Sequence, residues 1–374
     1  DIAANKTING PITLNNNADL QISGSGEYLG DMKLAGGKFR VDSNRDLTGT
    51  VSVTASSEII VPQSYSLVLN QTGTLALGGS TLSSSGAGKL KFEKAINVSG
   101  GELEVSSGTL DFVSGGSVAG LTLKSATLLL GDDLTVGDNL TTSGTDPTLQ
   151  LNGSLDLTGT GVQMQLGTSL VLDNVSTGAN TGLLLTANAT LTRGSAFTLG
   201  SINLQNKALT LGSGTSDMKV TSAVTFDTSS SQILTGDADL TLQTALVLSG
   251  GKLSSTAGIV TLPQGATLGS GSVFDISGST VKLSGTLDFA DGTVSTNNSS
   301  IIELQTASSF SGNGEFTLGT LKLNGQALTL NTASTKLILN NSLTIDTAES
   351  INTQSGSLTL NDSLTLQNNG KIES

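Results

Sequence analysis

Apolar residues recur along the whole chain as Leu-x-Leu pairs: Leu128–Leu130, Leu149–Leu151, Leu209–Leu211, Leu240–Leu242, Leu328–Leu330 and Leu358–Leu360. A period of two puts both leucines on one side of an extended strand and the residue between them on the other, the pattern of a sheet with one buried face. In Ser357-Leu-Thr-Leu-Asn361 the leucines point one way and Ser, Thr and Asn the other. Runs of this kind last four or five residues and are bounded by Asn, Gly, Ser and Thr, which favour turns. The stretches 320–323, 327–330 and 336–340 are three such predicted strands. No window of 11–18 residues keeps an i, i+3, i+4 spacing, and 47 glycines weigh further against helix.

A long-range repeat organises these strands. Residues 197–211 read FTLGSINLQNKALTL and residues 316–330 read FTLGTLKLNGQALTL, an offset of 119. The likeness runs on through Val224-Thr-Phe-Asp-Thr228 and Leu343-Thr-Ile-Asp-Thr347. After one residue of slippage it continues through Leu240-Thr-Leu and Leu358-Thr-Leu. The duplicated module therefore covers 197–255 and 316–374, and a fainter copy begins at Leu121-Thr-Leu. A finer step of about 21–22 residues relates Leu321, Leu343 and Leu364, and likewise Leu337 and Leu358. That step falls in the range where each repeat is one supersecondary unit unable to bury its apolar side alone. The fold class expected is all-β: a parallel β-helix (β-solenoid), right-handed, with three short strands per coil and residues 1–374 forming a single continuous solenoid. At a strand spacing of ~4.8 Å, about 17 coils would stack into a rod roughly 80 Å long.

Composition agrees. Hydrophobic residues make up 36% of the chain, and their regular recurrence argues against disorder. Aromatic content of only 3% suits a narrow interior, with Phe197, Phe226 and Phe316 expected as core or corner fillers. Without Cys the fold depends on burial and backbone hydrogen bonds. The net charge of −13 disfavours nucleic acid and anionic membrane as partners. Seven cations in 33–94 (Lys33, Lys38, Arg40, Arg45, Lys89, Lys91 and Lys94) are interspersed with acids and read as solvated charges. No apolar run approaches a membrane span, so no membrane insertion is expected. Asp1-Ile-Ala-Ala-Asn5 has no signal-peptide pattern, and a start without Met points to processing or trimming.

Candidate chemistry is thin. With no His, a Ser/His/Asp triad and His-ligated metal sites are ruled out, leaving carboxylate or lysine chemistry. Acids cluster at Asp132-Asp133 with Asp138, at Asp237 with Asp239, and at the repeat-equivalent positions Asp227 and Asp346. The first two lie in a Gly-Asp-Asp turn, and the last pair recurs because the repeat recurs; turn chemistry is the preferred reading. Gly24-Ser-Gly and Gly212-Ser-Gly read as turns, and the Gly-Gly-x-Gly-x-Asp calcium repeat is absent. Asn-x-Ser/Thr triplets begin at Asn70, Asn97, Asn139, Asn152, Asn174 and Asn188. Asn324, Asn331 and Asn340 at strand ends either form amide ladders between coils or occupy left-handed turn positions. Outward Thr would suit an ice-binding array, but its neighbours vary. No catalytic, cofactor-binding or metal-ligating residue is assigned, and no cofactor is expected.

These coils, Leu-Thr-Leu strands and Asn-Gly or Ser-Gly turns resemble the β-helical stalks of bacterial surface proteins: autotransporter passengers and filamentous-haemagglutinin-like repetitive adhesins. The chain lacks the Gly-Gly-Ala-Ile and Phe-x-x-Asn signatures of polymorphic outer-membrane proteins and a Leu-Pro-x-Thr-Gly sorting motif. The resemblance implies a non-enzymatic extracellular structural or adhesive rod, a stalk or filament-forming segment at a bacterial cell surface. Its partners would be further copies or coils of the same protein stacked end to end, together with host or surface glycans. The pattern stops at Gly370-Lys-Ile-Glu-Ser374, whereas the earlier copy runs on past Gly251-Lys-Leu-Ser-Ser255, so a section of something longer is expected. The alternatives are a polysaccharide lyase or hydrolase on the same fold, and a carbohydrate-binding or phage-fibre rod, for which Tyr28 and Tyr65 are the tyrosines available.

Overall fold

The computed structural model describes residues 2, 6–24, 27–144, 148–151, 155–157, 162–172 and 175–374. The triplets at Asn152 and Asn174, residues 25–26 of the first Gly-Ser-Gly stretch and the side chain of Leu151 lie outside the described residues. The protein is all-β, with no helix among those residues, and its strands stack in parallel as a β-solenoid of about 16 turns. It divides into two compact units, Asp1–Thr181 and Gly182–Ser374.

In the first unit each coil contributes strands to three rows. Lys38–Val41, for example, stacks on Asp19–Ile22 and carries Ser57–Ile60, while Ser66–Leu69 sits between Arg45–Leu47 and Lys89–Phe92. Parallel stacking in register places equivalent inward residues over one another. Leu67, Leu90, Leu110 and Leu128 form one such column, each 0% exposed. Phe92 and Phe112 occupy the next inward position and stack at 4.9 Å between ring centroids, a separation set by the strand spacing itself. All nine phenylalanines of the chain are buried, Phe197, Phe226 and Phe316 among them.

The second unit contains both copies of the duplicated module. The predicted strands appear as Thr320–Lys322, Ala327–Leu330 and Lys336–Leu339. Leu337 stacks on Leu358 and Leu343 on Leu364, as the 21-residue step requires. Equivalent pairs recur in the earlier copy: Phe197 on Met218 answers Phe316 on Leu337. The slipped residue is found where Leu209 stacks on Ile233 but Leu328 on Ile351, a step one shorter. The turn after Asp227 is longer than that after Asp346, and each closes differently. Ser231 Oγ accepts from the Asp227 N–H at 3.2 Å, whereas Glu349 Oε2 accepts from the Asp346 N–H at 2.7 Å. Across the molecule the step ranges from 18 (Gly108 on Ala126) to 25 (Ser57 on Leu82), so turns absorb length while the inward columns hold register.

Buried hydroxyls mark one recurring corner. Thr181, Thr215, Ser272, Ser300 and Thr335 each close a turn, their N–H bonding at 3.0 Å to the carbonyl three residues back. Each hydroxyl then donates to a carbonyl of the preceding coil, 23 or 24 residues earlier. A buried hydroxyl costs stability unless it is paired, and here the pairing ties coil to coil. Ion pairs do the same outside. Lys38–Glu58, Lys124–Glu104, Lys252–Asp275 and Lys322–Glu303 span neighbouring coils at 2.7–3.0 Å.

The strand-end asparagines take both roles, and Asn324 takes them together: its Nδ2 donates to the Leu304 carbonyl of the preceding coil at 3.2 Å. Asn324 takes a left-handed turn conformation, φ 53°. Asn340 joins a ladder, its amide accepting from Asn361 and donating to Asn298 Oδ1, both at 2.8 Å. Asn298 lies two coils back, and the intervening coil presents Gly319, where any Cβ would strike the Asn298 carbonyl. For Asn331 the hydrogen bond is made by its backbone, to Phe310 O at 2.9 Å.

Candidate functional site

A polar concavity lies on one flank of the first unit, where two strands of a coil merge into a single bent strand. Ile96–Val105 stacks on Gly116–Lys124 in two registers: Ile96–Val98 against Gly116–Val118, then Glu102–Val105 against Gly120–Leu123. Residues 99–101 thus face the single residue Ala119. An excess of this kind is a β-bulge, which bends the strand and re-aims the side chains beyond it. Gly100 takes φ 69°, and a Cβ on Gly101 would collide with the Ser80 carbonyl, so glycine is required to turn this corner.

Past the bulge the alternation of the strand decides what faces out. Leu103, Val105, Leu121 and Leu123 point inward, at most 1% exposed. Glu102, Glu104, Thr122 and Lys124 point outward into a groove of about 700 Å³ that also takes in Asp138, Asn139, Thr141 and Gln165. Glycines 79, 100, 101 and 120 leave its floor low. The carboxylates are held in place. Thr122 donates its hydroxyl to Glu102 Oε1, and Lys124 Nζ meets Glu104 Oε2 at 2.8 Å. Carboxylate acceptors on Glu102, Glu104 and Asp138 thus share one polar trough with the Lys124 ammonium and with the amides of Asn139 and Gln165, which can both donate and accept.

A second concavity, in the second unit, uses the same device. Thr280–Asp288 stacks on Ile301–Ser311 with a register shift between Leu283 and Gly285. The resulting hollow of about 270 Å³ is lined by Gly285, Thr286, Ala307, Ser309, Thr329 and Asn331 among others, and carries no charged side chain.

The acids singled out from sequence scatter. Asp132 and Asp133 sit in a turn, where Asp132 Oδ1 accepts from the Asp133 N–H. Asp138 parts from them and joins the groove. Asp239 fastens the next coil by accepting from the Ile259 N–H at 2.7 Å, while Asp227 is exposed. Hydrogen bonds from the Asn368 amide and the Thr347 N–H hold the Asp346 carboxyl below the usual carboxylate range. Tyr28 belongs to the core: its hydroxyl accepts from the Ile12 N–H at 3.0 Å and donates to the Asp31 carbonyl, and burial pushes its pKa up. Of the basic segment, Lys38, Lys89 and Lys91 are paired with Glu58, Asp111 and Glu93. Among the described residues no group of three or more acidic or other metal-ligating side chains is placed to hold a metal ion.

Glu102 and Glu104 stand as an acid pair in the chain, but Lys124 lies 20 residues beyond Glu104, so only coil stacking completes the cluster. Gly100-Gly-Glu-Leu-Glu104 held the signal: paired glycines, then two acids straddling an inward leucine. Compared with models of known protein families and with curated proteins, the chain matches none.

Proposed function

We propose that this chain is an extracellular structural or adhesive rod, a stalk or filament-forming segment of a large repetitive bacterial surface protein. The observation that carries the reading is the coil-on-coil stacking in register, in which successive coils add length around the same inward columns. Stacking partners are further coils or further copies.

A polysaccharide lyase or hydrolase on the same fold is the second reading, favoured by the groove of the first unit. It stands second because Glu104 is in an ion pair with Lys124 in an open trough, and general-acid hydrolysis needs a carboxyl kept protonated by a secluded site. Small-angle scattering of the purified chain, with antibody labelling of intact source cells, tests the first reading. Rod-like scattering and labelling without permeabilisation are expected. A compact globular profile, or labelling only after permeabilisation, overturns it.

A further inference from the structure

We infer that the groove on Ile96–Val105 and Gly116–Lys124 is a docking site for an uncharged oligosaccharide, an inference that rests on the adhesive form of the rod reading. Its volume of about 700 Å³ lies within the ~300–1,000 Å³ of small-molecule sites. Its ligand class follows from the mix of its polar groups. Glu102 and Glu104 are two residues apart on one strand, hence roughly 6.5–7 Å along its axis. Each is anchored through one oxygen by Thr122 or Lys124, and its second oxygen lies outside that bond. A rigid strand with its acceptors already oriented binds without having to order them first.

Three ligand classes answer differently to this surface. A polyanion would meet three carboxylates against one lysine. A polyamine would satisfy the carboxylates and the amide oxygens but, having only donors, would leave the Lys124 ammonium and the Asn139 and Gln165 N–H groups unmatched. Hydroxyl groups both donate and accept, so a neutral sugar chain can match the acceptors and the donors of this mixed lining. The glycine floor lets a sugar ring approach the backbone, where an ordinary side chain would hold it off. The hollow of the second unit supplies a comparison within the same molecule: the bent strand is there and the carboxylates are not.

The test uses the full chain against immobilised neutral glucan, mannan and galactan hexasaccharides, with oligouronates and oligoglucosamines in parallel. Two variants separate the groove from the fold. Gly120→Leu raises the floor, and the nearest atom to its Cβ lies at 3.7 Å, so the backbone need not move. Glu102→Gln with Glu104→Gln removes both charges and keeps the shape. Binding of at least one neutral hexasaccharide is expected, weakened tenfold or more by each variant, with unfolding midpoints close to the parent's. The inference falls if no neutral probe binds, if only the charged probes bind, or if both variants bind as the parent does. Such a failure alongside rod-like scattering and surface labelling leaves the rod standing; release of shortened products from a neutral probe upholds the groove and overturns the adhesive reading.

Discussion

The two concave flanks share a backbone device and differ in what stands on it. In the first unit the bulge at 99–101 opens a trough bearing Glu102, Glu104, Lys124 and Asp138; in the second, the shift near Gly285 opens a smaller hollow of Ser, Thr, Ala and Asn. Beneath both lie similar inward residues, Leu103 and Val105 in one, Leu287 and Phe310 in the other, none more than 0% exposed. Concavity at these two flanks thus comes from a mismatch in residue count between stacked strands. Chemistry comes from outward positions, which the core leaves free.

If the scaffolds are equivalent, truncating the core under each flank should cost the same. Leu103→Ala and Leu287→Ala are each expected to destabilise their own unit by ~2–5 kcal/mol, read by denaturant unfolding with hydrogen exchange to locate the loss. A mild effect at one site alone would break the equivalence.

Smaller effects are expected from the ion pairs that clasp neighbouring coils, Lys38–Glu58 in the first unit and Lys252–Asp275 in the second. The hydrogen bond from Lys38, with another from Ser85, holds the Glu58 carboxyl below its ordinary 4.5. Burial alone would push Asp275 up, but hydrogen bonds from Lys252 and Ser277 outweigh it and its value falls below 3.8. A carboxyl with a lowered folded value contributes stability above its unfolded value and loses it as pH falls through the folded one. Acid should therefore weaken the two units from about pH 4.5 and about pH 3.8 downward respectively. Glu58→Gln and Asp275→Asn should each flatten the acid limb of their own unit and cost under ~1 kcal/mol at neutral pH, since these pairs are partly exposed. Melting followed from pH 7 to pH 2 checks both; an unchanged acid limb in either variant removes the clasp from the account.

Smallest of all should be a graft of charge onto the bare hollow. Ser309→Glu with Asn331→Lys reproduces the spacing of Glu104 and Lys124 across neighbouring coils, because Ser309 is the register partner of Thr329. Unfolding should stay within ~0.5 kcal/mol of the parent. A shift beyond ~1 kcal/mol would show that outward positions are not independent of the scaffold.

How much of this was legible in the chain depends on direction. Along the strand, alternation in Ser357-Leu-Thr-Leu-Asn361 and the echo of FTLG at 197 and 316 disclose strands, coils and stacking, because the inward columns repeat what they bury. Across the strands little is disclosed. What Asn340 or Asn324 bridges to is set one or two coils away: Asn298 across Gly319 for the first, the Leu304 carbonyl for the second. The corner hydroxyls were within reach as Gly, Asn or Thr followed three residues later by Ser or Thr, as in Gly269-Ser-Gly-Ser272 and Asn297-Asn-Ser-Ser300. They pass for ordinary turn residues until burial distinguishes them. Glu102 and Glu104 were hidden for a related reason: outward residues carry no periodic constraint, so nothing in the repeat marks them.

The amide bridge from Asn340 over Gly319 to Asn298 changes how this part of the stack comes apart. In an array held only by contacts between adjacent coils, one coil can detach from the next as a separate event. Here the bridge fastens the first coil directly to the third, and Asn361 extends the tie to a fourth. Fraying at this point must break bonds that reach past the adjacent coil, so loosening of one coil here is coupled to more than its immediate neighbour.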